Sequence, residues 1–216
     1  MNIVALILFI IVTGIHLYAS LKQDKKLRAA TKPFILLTLL AFYCLSAKPV
    51  MLFVVLALLF SWLGDVLLIP AGLKWFTAGG ISFMVSHLFF ILSYAKLTDF
   101  TRVSRAAMII LPVIFICSTL IIFKYLRPHL PKVLFYPMLL YLLLNGAMNC
   151  FAWFRSLSAA GTAAVITAVG ALMFYVSDCS LFFVRFDKNS RLKTHFLVML
   201  TYSLGELLIV LGLILK

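Results

Sequence analysis

The chain has 216 residues, of which 65% are hydrophobic and 12% charged, and its mean hydropathy is +1.17. These values exclude a soluble globular domain, because such a domain needs a polar surface and uses far fewer apolar residues. In a soluble protein the net charge of +13 would suggest nucleic acid, but here the basic residues lie between long apolar runs. They are interpreted as topology signals and contacts to anionic lipid head groups, so no nucleic-acid partner is expected.

The apolar runs predict eight transmembrane helices. They cover residues 2–20, 33–47, 49–69, 76–95, 106–123, 133–154, 160–184 and 195–215. Runs such as VMLFVVLALLF are apolar on every side, which excludes the alternation of a β-barrel. The predicted fold class is therefore all-α, a polytopic integral membrane protein in which residues 1–216 form a single bundle of eight transmembrane helices and one domain.

The first segment could be a signal peptide, but it lacks a basic leading region and a small-residue cleavage site, so a helix is predicted. The second segment is short for a membrane span and is followed by a turn at SAKP. Four cysteines lie inside apolar segments without CxxC or Cys/His spacing and are interpreted as small buried hydrophobic residues. They are Cys44, Cys117, Cys150 and Cys179.

Lysine and arginine divide unequally between the two sides of the predicted bundle. The loops after helices 1, 3, 5 and 7 hold 13 of them and the opposite side holds 6, which includes Arg155. The positive-inside rule then places both termini outside the cytosol. We expect a bacterial inner (cytoplasmic) membrane protein.

Three of the six acidic residues lie in loops beside basic residues and are interpreted as solvated surface charges; they are Asp24, Asp99 and Asp187. The other three, Asp65, Asp178 and Glu206, lie inside apolar helices. A charge at the centre of a bilayer costs about 2.5 kcal/mol or more, so such residues usually face a polar interior and have a function. The alternative is a structural role as hydrogen-bonding partners of neighbouring helices.

Asp65 and Asp178 share a local pattern. WLGDVLL and YVSDCSL both read aromatic-x-small-Asp-x-x-Leu, in helices 3 and 7, which run in the same direction. Asp65 is sixteen residues past Pro49 and Asp178 is eighteen past Ala160, which predicts similar depths nearer the cytosolic face. The two carboxyl groups are therefore predicted to converge on one cavity.

Further polar side chains are predicted around or just beyond this pair; they are His87, Tyr141, Asn145, Asn149, Tyr175, Tyr202 and Glu206. Tyr141, Asn145 and Asn149 repeat every four residues, which makes one polar face on helix 6. Interhelical hydrogen bonding is an alternative role for the two asparagines and for His87.

Several motifs are absent. The sequence has no HxxxH, HExxH or Cys/His cluster, so neither a metal nor another cofactor is expected. It has no GxSxG motif. The GxGD motif of intramembrane aspartyl proteases needs glycine where this chain has Trp62, which argues against a protease.

Four segments carry a family resemblance: SWLGDVLL, GGISFMVSHLFFILSY, GALMFYVSDCSLFFVRF and TYSLGELLIVLG. In this order, over helices 3 to 8, they resemble the YhhN/TMEM86 family of lysoplasmalogenases. The resemblance implies hydrolysis of the vinyl ether of lysoplasmenylethanolamine or lysoplasmenylcholine to a fatty aldehyde and the glycerophospho head group, without a metal. Asp65 and Asp178 match the family's proposed catalytic pair, and Glu206 stands where many members carry glutamine.

The chemistry of a vinyl ether suits two carboxyl groups. Protonation of its β-carbon gives an oxocarbenium ion, water adds at the α-carbon, and the hemiacetal collapses to an aldehyde and an alcohol. The reaction needs one protonated carboxyl group as the acid and one carboxylate to stabilise the cation and activate water. Two neighbouring carboxyl groups in a low-dielectric site do not both ionise readily, which keeps one proton available.

The expected partners are a lysophospholipid substrate and membrane lipid. Lys74 and Arg185 are candidates to hold the substrate phosphate, although a role in topology alone is equally compatible with their positions. The alternative function is a proton-coupled transporter or lipid-binding membrane protein that uses the same carboxylates. Release of aldehyde by purified protein distinguishes the two functions.

Overall fold

The computed structural model describes residues 1–159, 161–187 and 195–216, and its regular structure within these ranges is helical. Eight α-helices follow in the predicted order, and seven of those described are long and apolar enough to cross a membrane. The polytopic all-α fold is thereby confirmed. The helices are α1 (Ile3–Leu21), α2 (Lys25–Ser46), α3 (Leu52–Leu67), α4 (Leu73–Lys96), α5 (Arg105–Leu126), α6 (Phe135–Ala159), α7 (Thr162–Phe186) and α8 (His195–Ile214).

The second helix is longer than predicted. It begins at Lys25 rather than at residue 33, because Asp24 caps it: the Oδ1 atom of Asp24 accepts hydrogen bonds from the backbone N–H groups of Lys26 (3.0 Å) and Leu27 (3.1 Å). Pro33, which favours a first-turn position, instead lies inside the helix. The two turns before Pro33 are thus helical.

The short element is α3, with 16 residues, whereas α2 has 22. The chain leaves α3 after Leu67 and passes through Pro70 and Gly72, whose φ of 125° is open to glycine but strained for other residues. This early end places Asp65 in the last turn of α3.

Both termini lie at one end of the bundle. The backbone N–H of Asn2 donates to Ser46 Oγ at 2.8 Å, and Lys216 Nζ lies 2.7 Å from Met51 Sδ. The start of α1, the end of α2 and the end of α8 therefore share that end. Both termini share one end of a bundle when the chain crosses it an even number of times.

Two charged residues lie differently from their predicted loop positions. Arg155 is inside α6 and 3% exposed, and it donates to Thr167 Oγ1 (2.6 Å) and to the Gly212 carbonyl (3.1 Å). It ties α6 to α7 and α8 and is no loop charge. Asp187 is also buried, and Tyr125 donates to its Oδ2 at 3.3 Å. Lys188, Arg191 and Lys193, which the topology prediction counted, lie outside the described residues, as does the predicted helix start at residue 160.

The backbones of α7 and α8 approach each other closely at Gly170 and Gly205. A Cβ atom on Gly170 would lie 2.7 Å from both the Gly205 carbonyl oxygen and the Ile209 nitrogen, and one on Gly205 would lie 2.9 Å from the Gly170 carbonyl oxygen. Small residues allow such contact between membrane helices. The contact fixes how α7 presents Asp178.

Gly170→Ala and Gly205→Ala should each destabilise the protein by about 1–3 kcal/mol, because the helix backbones must move apart to admit a methyl group. The measurement is unfolding of the purified protein in detergent. Gly14→Ala in α1 is the matched control, since no heavy atom lies within 4 Å of its added Cβ. Equal stability of Gly170→Ala and Gly14→Ala would contradict this account of the contact.

An aromatic cluster supports the region where α4, α7 and α8 meet. The ring of Phe83 lies edge-on to those of Phe174 (6.2 Å between centroids) and Tyr202 (6.1 Å), and the latter two are 5.3 Å apart. All three side chains are buried. Their packing holds the Tyr202 hydroxyl in place beside α3.

Candidate functional site

Asp65 is buried at 2% exposure and has a charged partner. Lys32 Nζ, from α2, lies 3.1 Å from its Oδ1, and the Tyr202 hydroxyl, from α8, donates to its Oδ2 at 2.8 Å. The ammonium group favours the carboxylate form at this position. Asp65 is therefore equipped to act as an anion.

Asp178 is also buried, but its hydrogen-bond donors are neutral. Its Oδ2 accepts a short hydrogen bond from the Tyr141 hydroxyl and another from Asn145 Nδ2 at 2.7 Å. Both donors come from α6 and both use Oδ2, which leaves Oδ1 available to hold a proton. The two aspartates thus have chemically different surroundings.

One cavity of about 350 Å³ is lined by both Asp65 and Asp178. It also contacts Tyr202 and Phe83, and the loop of residues 68–71 that follows α3. The structure thus places both aspartates, which the sequence analysis paired, in the lining of one cavity.

A second, apolar cleft reaches Asp178 from the side between α4 and α6. It shares Phe76, Phe83 and Leu181 with the larger cavity, so the two spaces adjoin. Its walls include Gly80, Ile81, Met84, Pro137 and Met138. The walls of the cleft are mainly apolar, whereas the lining of the larger cavity includes charged side chains.

One face of α2 adds basic groups that the sequence reasoning missed. Lys25, Arg28 and Lys32 all line the cavity, at the spacing of successive helical turns. The signal was present in the sequence, but starting the helix at Pro33 assigned these residues to a loop. His16 and His195 line the same cavity.

His87 and Asn149 lie behind the Asp178 carboxyl group. His87 is fully buried between the rings of Tyr141 and Phe174, each 5.3 Å away, and its Nε2 is 3.8 Å from Asp178 Oδ2, too far for a hydrogen bond. Asn149 Nδ2 donates to the Asn145 carbonyl at 3.1 Å. Asn149 therefore supports Asn145, and neither His87 nor Asn149 lines the cavity.

Two predicted site residues lie elsewhere. The Tyr175 hydroxyl faces α5, where it is 3.1 Å from Ser118 Oγ and 3.4 Å from Thr119 Oγ1. Lys74 is exposed and does not line the cavity. Arg185 does line it, with its guanidinium group 5.7 Å from the centre of the Phe76 ring.

Glu206 is fully buried in α8, one turn beyond Tyr202, and it does not line the cavity. Neither carboxyl oxygen has a hydrogen-bond partner among the described residues, although the Ser61 hydroxyl is close enough to interact. Ser61 itself is hydrogen-bonded to Ser86 at 2.8 Å. Glu206 therefore belongs to a deeper polar layer.

The helices and the cavity define a polytopic helical membrane protein with two buried, differently paired carboxyl groups in one internal site. The chain belongs to the YhhN family, whose model matches residues 27–213. No curated protein and no solved structure matches the sequence. The matched residues include α3 to α7 and every residue of the two-aspartate site named above except Lys25 and His16.

Proposed function

We propose that the protein is a membrane lysoplasmalogenase that hydrolyses the vinyl ether bond of lysoplasmenylethanolamine or lysoplasmenylcholine. The observation that carries the proposal is the single cavity lined by Asp65 and Asp178, one ion-paired and the other bonded to neutral donors. Family membership and the adjoining apolar cleft support it, because the substrate has one alkyl chain and one polar head.

The surroundings of the two aspartates suggest separate roles. Asp178 acts as the acid, since its Oδ1 is free to carry a proton while Tyr141 and Asn145 hold Oδ2. Asp65 acts as the carboxylate, because Lys32 compensates its negative charge. The pair then provides the acid and the anion that vinyl ether hydrolysis requires.

The reaction proceeds in three steps. Asp178 transfers its proton to the β-carbon, and the Asp65 carboxylate stabilises the oxocarbenium ion that forms. Water attacks the α-carbon and loses a proton, which returns to Asp178 and restores the acid. The hemiacetal then breaks its bond to the glycerol oxygen, giving the fatty aldehyde and the glycerophospho alcohol; the hydroxyl proton moves to the departing oxygen.

Aldehyde release tests the proposal directly. Purified protein in detergent should convert a lysoplasmalogen to equal amounts of aldehyde and glycerophospho product, without added metal. A matched lipid with a saturated alkyl ether should give no product, since it has no double bond to protonate. A protein that releases no aldehyde but moves protons or lipid across proteoliposomes would be a transporter instead.

The proposed orientation follows from the basic residues. The cavity mouth lies at the end of the bundle that carries Lys25, Arg28 and Arg185. We propose that this end faces the cytosol of a bacterium and that both termini lie on the outer side of its inner membrane. Modification of a cysteine introduced beside Lys216, in intact cells, tests this placement.

Glu206→Gln should keep substantial activity, within about 10-fold of the wild type, because the amide preserves the shape of a residue outside the cavity; the expected loss is smaller than that of removing an acid–base group. The measurement is kcat for aldehyde release. A loss equal to that of Asp65→Asn would show that Glu206 takes part in proton transfer.

A further inference from the structure

Four basic side chains line the mouth of the two-aspartate cavity: Lys25, Arg28 and Lys32 from α2, and Arg185 from α7. Their helices approach the cavity from different sides. Lys32 forms an ion pair with Asp65, with 3.1 Å between Nζ and Oδ1. The other three residues lie nearer the end of the bundle. Three basic groups at the cavity mouth are therefore not used in the ion pair with Asp65.

The lining offers no spare carboxylate to these cations. Of the six acidic residues in the sequence, only Asp65 and Asp178 line the cavity. Asp65 is paired with Lys32, and Asp178 accepts from Tyr141 and Asn145. The lining residues of the described chain thus leave Lys25, Arg28 and Arg185 without a carboxylate partner.

Arg28 has the most constrained position of the three. Its side chain is half-buried, and its Nε atom is buried with no hydrogen-bond partner among the described residues. A buried donor without an acceptor is costly, and an anion bound beside Arg28 would supply the missing acceptor. Guanidinium groups bind phosphate in a two-point arrangement.

We propose that Arg28, with Lys25 and Arg185, forms a binding site for the phosphate of a glycerophospholipid head group. The proposal rests on the proposed function, because it places the head group of that substrate at the cavity mouth while the alkyl chain occupies the cleft between α4 and α6. Asp178 lines both the cleft and the cavity and Asp65 lines the cavity, so the ether bond would lie beside the two carboxyl groups.

The charge of the site determines which part of the head group it recognises. With Asp65 paired to Lys32 and Asp178 hydrogen-bonded to Tyr141 and Asn145 as the proposed acid, the cavity offers no free anion to an ethanolamine or choline cation. The site therefore selects for phosphate rather than for the amine. It should accept phosphoethanolamine and phosphocholine about equally, and a phosphomonoester more tightly because of its greater charge.

Binding of saturated ether lipids tests this site without any reaction. The ligands are 1-O-alkylglycerol and its phosphate, phosphoethanolamine and phosphocholine derivatives, titrated into purified protein at constant ionic strength. Glycerol phosphate and inorganic phosphate serve as competitors. The wild type should bind the phosphate-bearing lipids at least about 10-fold more tightly than the alkylglycerol.

Arg28→Gln should weaken binding of the phosphate-bearing lipids by about 10- to 100-fold and leave the alkylglycerol unchanged. Arg28→Lys should recover part of the loss. Lys26→Gln is the matched control, since Lys26 is an exposed neighbour on α2 that does not line the cavity. Melting temperatures of all variants separate a binding defect from misfolding.

Equal binding of the alkylglycerol and the phosphate-bearing lipids would overturn the proposal and leave the basic residues as topology signals. Competition by inorganic phosphate as strong as that of the lipids would also overturn it, in favour of a site for free phosphate. Arg28-dependent lipid binding without aldehyde release would support the site and reject the proposed function. Aldehyde release with no effect of Arg28→Gln would do the reverse.

Discussion

Asp65→Asn and Asp178→Asn are each expected to abolish aldehyde release, with losses of at least about 10²- to 10⁴-fold. In the proposed mechanism, Asp178→Asn removes the acid, and Asp65→Asn removes the anion that stabilises the oxocarbenium ion. The double variant should be no slower than either single variant, because groups that act as a unit fail when one is lost. The measurement is single-turnover aldehyde release.

Folding should survive both substitutions, since asparagine keeps the shape of aspartate and its side-chain oxygen can still accept a hydrogen bond from Lys32 or from Tyr141. Asp99→Asn is the matched control: Asp99 is exposed in the loop between α4 and α5, 3.1 Å from Arg102, and its loss should leave the rate unchanged. A near-normal rate in either Asp65→Asn or Asp178→Asn would reject the mechanism.

Lys32→Met should lower kcat by about 10- to 100-fold. This factor corresponds to the free energy of one hydrogen bond to a charged group. Without the ammonium group, Asp65 loses the partner that favours its anionic form. The same change should destabilise the protein by about 1–3 kcal/mol, since a buried acceptor is left unpaired. Aldehyde release and unfolding in detergent provide the two measurements.

The double variant Lys32→Met/Asp65→Asn shows whether Lys32 acts through its ion pair with Asp65 or in another way. It should be more stable than Lys32→Met, because the unpaired carboxylate is gone, and no less active than Asp65→Asn. Lys26→Met on the exposed face of α2 is the control. Additive losses in the double variant would show that Lys32 acts independently of Asp65.

The meeting of Asp65 and Asp178 could be predicted from the sequence for a physical reason. The rise per residue of a helix is fixed, so the position of a residue along an apolar run gives its depth in the bundle. Two parallel helices with aspartates at similar depths are then candidates to bring them together. Whether both helices border one cavity depends on how the bundle packs, which depth along the helix does not predict.

The direction of the Tyr175 side chain could not be predicted from depth along a helix. It precedes Asp178 by one turn, yet its hydroxyl faces Ser118 and Thr119 on α5. Residues three apart differ by about 60° around the helix axis, so one can face the cavity while the other faces a neighbouring helix. The rotation of α7 depends on its contact with α8 at Gly170 and Gly205, which no single-segment pattern reveals.

Lys32 and Arg28 were missed because of one helix boundary. The apolar run of the second segment begins at residue 33, which predicts a helix from there and leaves the residues before it in a loop. Asp24 is also a good capping residue, and the helix starts there. With that start, the spacing of Lys25, Arg28 and Lys32 defines a single basic face.

The sixteen residues of α3 span about 24 Å, less than the roughly 30 Å thickness of the hydrocarbon core. A bundle with one short helix next to a polar cavity favours a locally thinner leaflet, so lipid head groups lie closer to the level of Asp65. The proposed lysolipid substrate would then enter the cleft between α4 and α6 from the bilayer, without its chain passing through water. Withdrawing that chain into water would cost about 0.8 kcal/mol for each CH₂ group, and a shortened helix avoids this cost.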